Sequence, residues 1–304
     1  MSKRRRRPAP YHPRVWGAWI LIACGWLLAR LPLRILVALG QTIGNLAFVV
    51  ARSRRHITRV NLALCFPELD APAQQRLARA VFRHAGVSLC EQLVAWLNPR
   101  KPVARRFTVT GAAHLRAAIA EGRGVLLVGA HFSCMDFASQ ALAQAVDIDV
   151  IYRANRNPAW EWLQVHGRQH YFDGVIERDD TRQTLRRLKA GRAIWYAADQ
   201  DYGRKHSVFA PFFGIPAATI TATARLARFN GSPVLFIRQH RNLADLTWEV
   251  EISAPIDGYP SGDDVADATR LNAIIEAAIR RDPAQYLWLH RRFKTRPAGE
   301  ARPY

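Results

Sequence analysis

Acidic residues are scarce in this chain. Against 44 Lys and Arg there are 24 Asp and Glu, a formal net charge of +20 over 304 residues. That shortage excludes a cationic partner as the main ligand. It favours an anionic one: nucleic acid, an anionic membrane, an acidic carrier protein or a phosphorylated substrate. Cysteine is scarce too. Cys24, Cys65, Cys90 and Cys134 form no CxxC pair, and no histidine cluster stands at zinc-finger spacing. A disulfide scaffold is therefore excluded, and the thiols read as reduced and mostly buried, as in a cytosol-facing protein. There is no internal repeat and no low-complexity block beyond a basic arm. No stretch interleaves aromatic and basic residues in a recognisable motif, so a nucleic-acid partner is not expected.

Apolar residues make up 49% of the chain, enough for a sizeable core, and many lie at the N-terminus. Lys3-Arg4-Arg5-Arg6-Arg7 precede an uncharged apolar run from Val15 to Ala29, and Ile35 to Ala51 forms a second run diluted by Gln41, Thr42 and Asn45. Large residues around Ala23 and Ala29 suit signal peptidase poorly, so the segment reads as an uncleaved anchor. Fifteen helical residues reach about 22 Å against a hydrocarbon core of about 30 Å, so the two runs form either a shallow hairpin or one spanning helix with the other lying on the surface. The expected organisation is a basic arm and membrane anchor over 1–52, a catalytic domain over 53–296, and a loose polar tail over 297–304.

Asp70 can cap a helix from Pro72 to about Leu97, after a basic linking helix over 53–64. From Phe107 short β-rich runs alternate with helical stretches. The runs are Phe107–Val109, Val125–Val128, Ile148–Tyr152, Ala193–Tyr196 and Val234–Ile237; the helices lie near 112–120, 135–146, 158–170, 181–189 and 219–229. Asp180 with Gln183 predicts a capping box. Leu246–Ile252 reads as a further strand and 264–281 as a late helix. This alternation predicts an α/β class with a largely parallel central sheet flanked by helices.

The most informative stretch runs from Gly124 to Asp136: a buried strand, a small-residue turn, His131, and an acid five positions on. Activation of a hydroxyl as nucleophile needs a base, and neutral imidazole supported by a carboxylate suits that task. Positions i and i+5 point about 140° apart on one helix. His131 must then lie in the turn and Asp136 in the first helical turn if the two are to meet, which puts His131 at the carboxyl end of a strand. The spacing alone is weak: ten histidines and 24 acids in 304 residues give about one chance instance, and His240 with Asp245, in a hairpin loop, is taken as that instance.

Other residues offer roles of their own. Arg153, Arg156, Arg168 and Arg178 are candidate anchors for phosphate. Asp199 and Asp201 suit Arg or sugar hydroxyls better than Mg²⁺, because the chemistry needs no metal. Cys134 is a remote candidate for an acyl-thioester intermediate. Phe209, Phe212, Phe213 and Ile215 line either an acyl channel or the core.

Several motifs together carry a resemblance: Asn61-Leu62-Ala63-Leu64-Cys65-Phe66-Pro67-Glu68; Gly129-Ala130-His131 with Asp136; Tyr152-Arg153-Ala154-Asn155 with Asn157-Pro158; Ala198-Asp199-Gln200-Asp201-Tyr202-Gly203; and Ser207-Val208-Phe209-Ala210-Pro211-Phe212-Phe213-Gly214. From about Tyr11 to Phe293 the chain resembles the late acyltransferases of lipid A biosynthesis, the lauroyl/myristoyl family of Gram-negative inner membranes. The resemblance implies a glycerol-3-phosphate acyltransferase-like fold, catalysis by His131 and Asp136, and substrate contacts from Arg153, Asn155, Arg168, Asp199 and Asp201. It also implies an acyl carrier protein thioester as donor, a lipid A precursor as acceptor, an active site on the cytoplasmic side of the inner membrane, and no metal or cofactor. Many lauroyl-type members carry Glu where this chain has Asp136. Two other readings stand beside it: acylation of another membrane glycolipid or an ornithine-type lipid, and a non-enzymatic membrane-binding scaffold.

Overall fold

The computed structural model describes residues 9–304, so the basic arm Lys3–Arg7 lies outside the described residues. Four helices come first: α1 (Trp16–Leu28), α2 (Leu33–Val50), α3 (Arg52–Cys65) and α4 (Ala71–Leu97). The α/β half follows as β1 (Phe107–Thr110), α5 (Ala112–Ala120), β2 (Val125–Gly129), α6 (Met135–Ala145), β3 (Ile148–Tyr152), α7 (Pro158–Gln169), β4 (Gly174–Glu177), α8 (Thr181–Lys189) and β5 (Ala193–Ala197). Then come β6 (Ser207–Phe212), β7 (Ile215–Ile220), α9 (Ala222–Asn230), β8 (Val234–Asn242), β9 (Thr247–Pro255) and α10 (Asp264–Arg281). Asp70 caps α4 through a 2.7 Å bond from the Ala73 N–H, and Asp180 caps α8 by accepting the Gln183 N–H at 3.0 Å.

Seven strands form one sheet in the order β1-β9-β8-β2-β5-β3-β4, parallel throughout except where β8 meets β9. The α/β class with a largely parallel sheet is therefore as expected. β2 is buried along its whole length, and its residues alternate between two cores. Leu126 and Val128 face the layer that contains Leu271 and Ile275 of α10; Val125 and Leu127 face the layer that contains Phe137 and Leu142 of α6. Helices thus cover both faces of the sheet.

Two segments differ from expectation. Residues 219 and 220 are not helical: they end β7, which pairs with β6 in a separate hairpin. Its two-residue turn is Phe213–Gly214, both at positive φ (52° and 74°), the geometry of a tight hairpin turn. Phe213 is held in that unfavourable conformation by packing against Phe66 and Trp288. The tail over 297–304 is not loose either. Tyr304 Oη accepts the Phe293 N–H at 3.1 Å and donates to Asn61 Oδ1, and Arg291 lies over its ring.

At the N-terminus α1 has 13 residues, about 20 Å of helix, and α2 has 18. Among the described residues α2 alone is long and apolar enough to cross a membrane, by length and composition. It packs along α4 through glycine. A Cβ on Gly40 would sit 2.5 Å from Val87 Cα, one on Gly44 would sit 2.7 Å from Arg83 Cα, and one on Gly86 would strike the Gly40 carbonyl. The two backbones touch because none of the three carries a side chain. The outward faces stay apolar: Trp16, Ile20, Leu21 and Leu27 of α1 and Ile35, Leu46, Val49 and Val50 of α2 are exposed.

Candidate active site

β2 and β5 run side by side with a constant offset: Val125 faces Ala193 and Gly129 faces Ala197, 68 residues apart each time. Continuing that register two residues past both strands brings His131 opposite Asp199. The ladder does continue, since the Ala198 N–H donates to the Gly129 carbonyl at 3.1 Å. Asp199 then accepts twice from His131: Oδ1 lies 2.6 Å from Nδ1, and Oδ2 takes the backbone N–H at 3.1 Å. The strap after His131 is pinned from the other side, because its carbonyl accepts the Leu287 N–H and the Ser133 N–H donates to the Gln285 carbonyl. Backbone and ring of the histidine are both fixed.

The Asp199 side chain is fully buried, while that of His131 is 21% exposed. Burial alone would raise the Asp199 carboxyl and lower the His131 imidazole. Their mutual attraction and hydrogen bond outweigh burial at both groups, so Asp199 is held well below the usual carboxylate range and His131 is raised above 6.5. An ionised Asp199 accepts the proton on Nδ1 and leaves Nε2 as the basic nitrogen of the neutral ring. Gln200 Nε2 faces that nitrogen at 3.1 Å.

Asp136 stands in the first turn of α6, as its spacing requires, but it does not hold the imidazole. Its Oδ1 accepts Nε and Nη2 of Arg168 at 3.1 and 2.8 Å, and its Oδ2 accepts Gln92 Nε2 at 2.7 Å. The expected direct pair is thus replaced: Asp199 orients His131, and Asp136 orients Arg168. Gly167 makes the second arrangement possible. A Cβ there would lie 2.5 Å from Trp96 Cβ, so its absence lets α7 settle onto α4 and carry Arg168 in beside Asp136.

His131, Asp136, Arg168 and Gln200 share one cavity of about 940 Å³. Arg153 and Arg178 also line it, and Met135, Val150, Ile151, Trp195, Ile220 and Leu226 give it an apolar wall. Other sequence candidates lie elsewhere. Asn155 is exposed in the loop before α7, where its Oδ1 accepts the Asn157 N–H. Asp201 is buried and turned to the C-terminal segment, accepting the Thr295 N–H and hydroxyl at 2.8 and 2.9 Å. Phe212 and Phe213 belong to the core, packed on each other and on Phe293 and Trp288 respectively. Cys134 is buried with its thiol pushed up to about 12 by burial, which suits packing rather than nucleophilic attack. His240 lies on β8 with its Nδ1 near Gln285, and Asp245 accepts from Asn242, so that second pair plays no part here.

Gln92 and the orienting role of Asp199 escaped the sequence reading. The strand offset is the signal for Asp199; none marks Gln92.

A cavity of this size with one apolar wall has room for an acyl chain, and the His131–Asp199 pair beside it can take a proton from a hydroxyl, as an acyl-transfer enzyme requires. Comparison with known proteins agrees. Residues 4–295 match the family described as bacterial lipid A biosynthesis acyltransferase. The chain is 38% identical over 294 residues to the lipid A biosynthesis palmitoleoyltransferase of Escherichia coli strain K12, covering 96% of each protein. It is 36% identical over 289 residues to the lauroyltransferase of the same strain, covering 95% of this chain and 94% of that one. With the myristoyltransferase it shares 25% over 301 residues. The chain belongs to the bacterial lipid A biosynthesis acyltransferase family and is an acyltransferase.

Proposed function

We propose that the protein moves a fatty acyl group from an acyl carrier protein thioester to a hydroxyl of a lipid A precursor, at the cytoplasmic face of a Gram-negative inner membrane, with His131 as base. The observation that carries this reading is the His131–Asp199 pair in a cavity with one apolar wall. His131 Nε2 takes the hydroxyl proton as the oxygen bonds to the thioester carbonyl carbon. Asp199 holds the ring in the tautomer that leaves Nε2 free and stabilises the imidazolium that forms. The tetrahedral intermediate then collapses, the C–S bond breaks, and the departing thiolate receives the proton from Nε2.

Arg168, held by Asp136, which Gln92 fixes in turn, lines the same cavity as His131. It stabilises the oxyanion, a contribution of about 3–4 kcal/mol for a well-placed donor. Arg153 and Arg178 suit the phosphates of the acceptor. Arg182, Arg186 and Lys189 on α8 and Arg225 and Arg228 on α9 give a basic surface beside the cavity, fitted to an acidic carrier. The exposed apolar faces of α1 and α2 suit insertion into lipid. On this reading the sheet is of the glycerol-3-phosphate acyltransferase type.

The test is a reconstituted assay with full-length enzyme, an acyl carrier protein thioester and a lipid A precursor. One thiol should be released per acyl chain gained by the lipid, read by mass spectrometry. Acylation of a different glycolipid while the lipid A precursor stays unmodified would overturn the acceptor assignment.

A further inference from the structure

Gln200 closes the basic nitrogen of His131. Because Nδ1 keeps its proton and donates it in a hydrogen bond to Asp199, Nε2 of the neutral ring offers only a lone pair, and the Gln200 amide 3.1 Å away must point its N–H at it. Gln200 lies in the cavity wall and is part-buried, and among the described residues its side chain has no other hydrogen-bond partner. Swinging it aside therefore gives up a single neutral hydrogen bond.

We propose that Gln200 is a positioning residue that keeps the base capped until an acceptor hydroxyl displaces it, and so discriminates against water as nucleophile. This rests on His131 being the base. A hydroxyl anchored through the rest of its lipid brings binding energy to the displacement. A free water gains only what the amide gives up. Without the cap, water bonds to the thioester carbonyl carbon, its proton passes to Nε2, the C–S bond breaks, and the thiolate leaves with that proton. The products are a free fatty acid and a free thiol.

The test uses full-length enzyme and an acyl carrier protein thioester, reading thiol and fatty acid with and without lipid acceptor. Gln200→Ala should raise thiol release without acceptor about fivefold, the size of one neutral hydrogen bond. With acceptor present, a larger share of acyl groups should end as fatty acid. Gln200→Glu keeps the shape but cannot donate, and it sets a second carboxylate beside the imidazole. Its acid limb should move to higher pH, a shift that loss of structure alone does not produce. A hydrolysed share equal to that of wild type in Gln200→Ala, even at a lower total rate, overturns the proposal, as does an unmoved acid limb in Gln200→Glu. The hydrolysis arm needs no acceptor, so it reads the cap even where the lipid assignment fails.

Discussion

The rim formed by β2 and β5 and the crossing of α2 with α4 both depend on backbones brought close together, yet they use that closeness for different ends. At the rim, parallel register carries two polar side chains to one point and buries the charge of one of them. At the crossing, three glycines remove side chains so that two helices touch, and the surface left over is apolar. On the proposed function the rim carries the chemistry, and its buried pair ties stability to pH as well. The crossing contributes stability, and none of its three glycines lines the cavity. A substitution at the rim should therefore lower the rate far more than the melt, and one at the crossing the melt far more than the rate.

The largest effect belongs to the rim. His131→Ala should lower acyl transfer about 10³- to 10⁴-fold in steady-state assays and, by stripping the fully buried Asp199 carboxylate of its partner, lower the thermal melt without unfolding the protein at assay temperature. An unfolded variant would place His131 in the framework instead. Asp199→Asn comes next, with a loss of about 10²- to 10³-fold, because the amide no longer selects the productive tautomer. With His131 as the proposed base, active only when neutral, its raised value should place the acid limb of the wild-type rate profile above 6.5. Removing the carboxylate that raises it should move the limb to lower pH.

The same pair links stability to pH. The raised His131 contributes stability that is complete below 6.5 and is lost as pH rises through its folded value. The depressed Asp199 contributes stability that is present above its ordinary 3.8 and is lost as pH falls through its lowered value. Denaturant titrations across that window should show the Asp199→Asn variant with a flatter pH dependence than wild type.

The crossing gives the intermediate effect. Gly86→Val places a side chain on the Gly40 carbonyl and should destabilise the fold by about 3 kcal/mol, with turnover per folded molecule near wild type. A fall in turnover without a fall in melting temperature would break the contrast. The smallest effect belongs to the tail, where Tyr304→Phe removes the hydroxyl shared by Asn61 and Phe293, a loss of about 1 kcal/mol with no change in rate.

Local pattern made most helices legible, because caps such as Asp70 and Asp180 act within one turn and apolar periodicity marks the buried face. The β6–β7 hairpin escaped for a local reason. Its strands carry Pro211 and Pro216 paired opposite each other, and its turn sets a phenylalanine where asparagine is the usual signal. The site divided along the same line. His131 and Asp136 are five residues apart, so their shared cavity was readable. Whether the two side chains bond is a tertiary matter, decided by Arg168 and Gln92 arriving from α7 and α4. Asp199 lies 68 residues away, and only the pairing of β2 with β5 makes it a neighbour.

The glycine contact between α2 and α4 has a mechanical consequence. Gly86 and Gln92 lie on the same helix, six residues or about 9 Å apart along its axis. The helix proposed to meet lipid is thus joined, through α4, to the amide that holds Asp136, so the apolar outer layer and the wall of the cavity share one structural member.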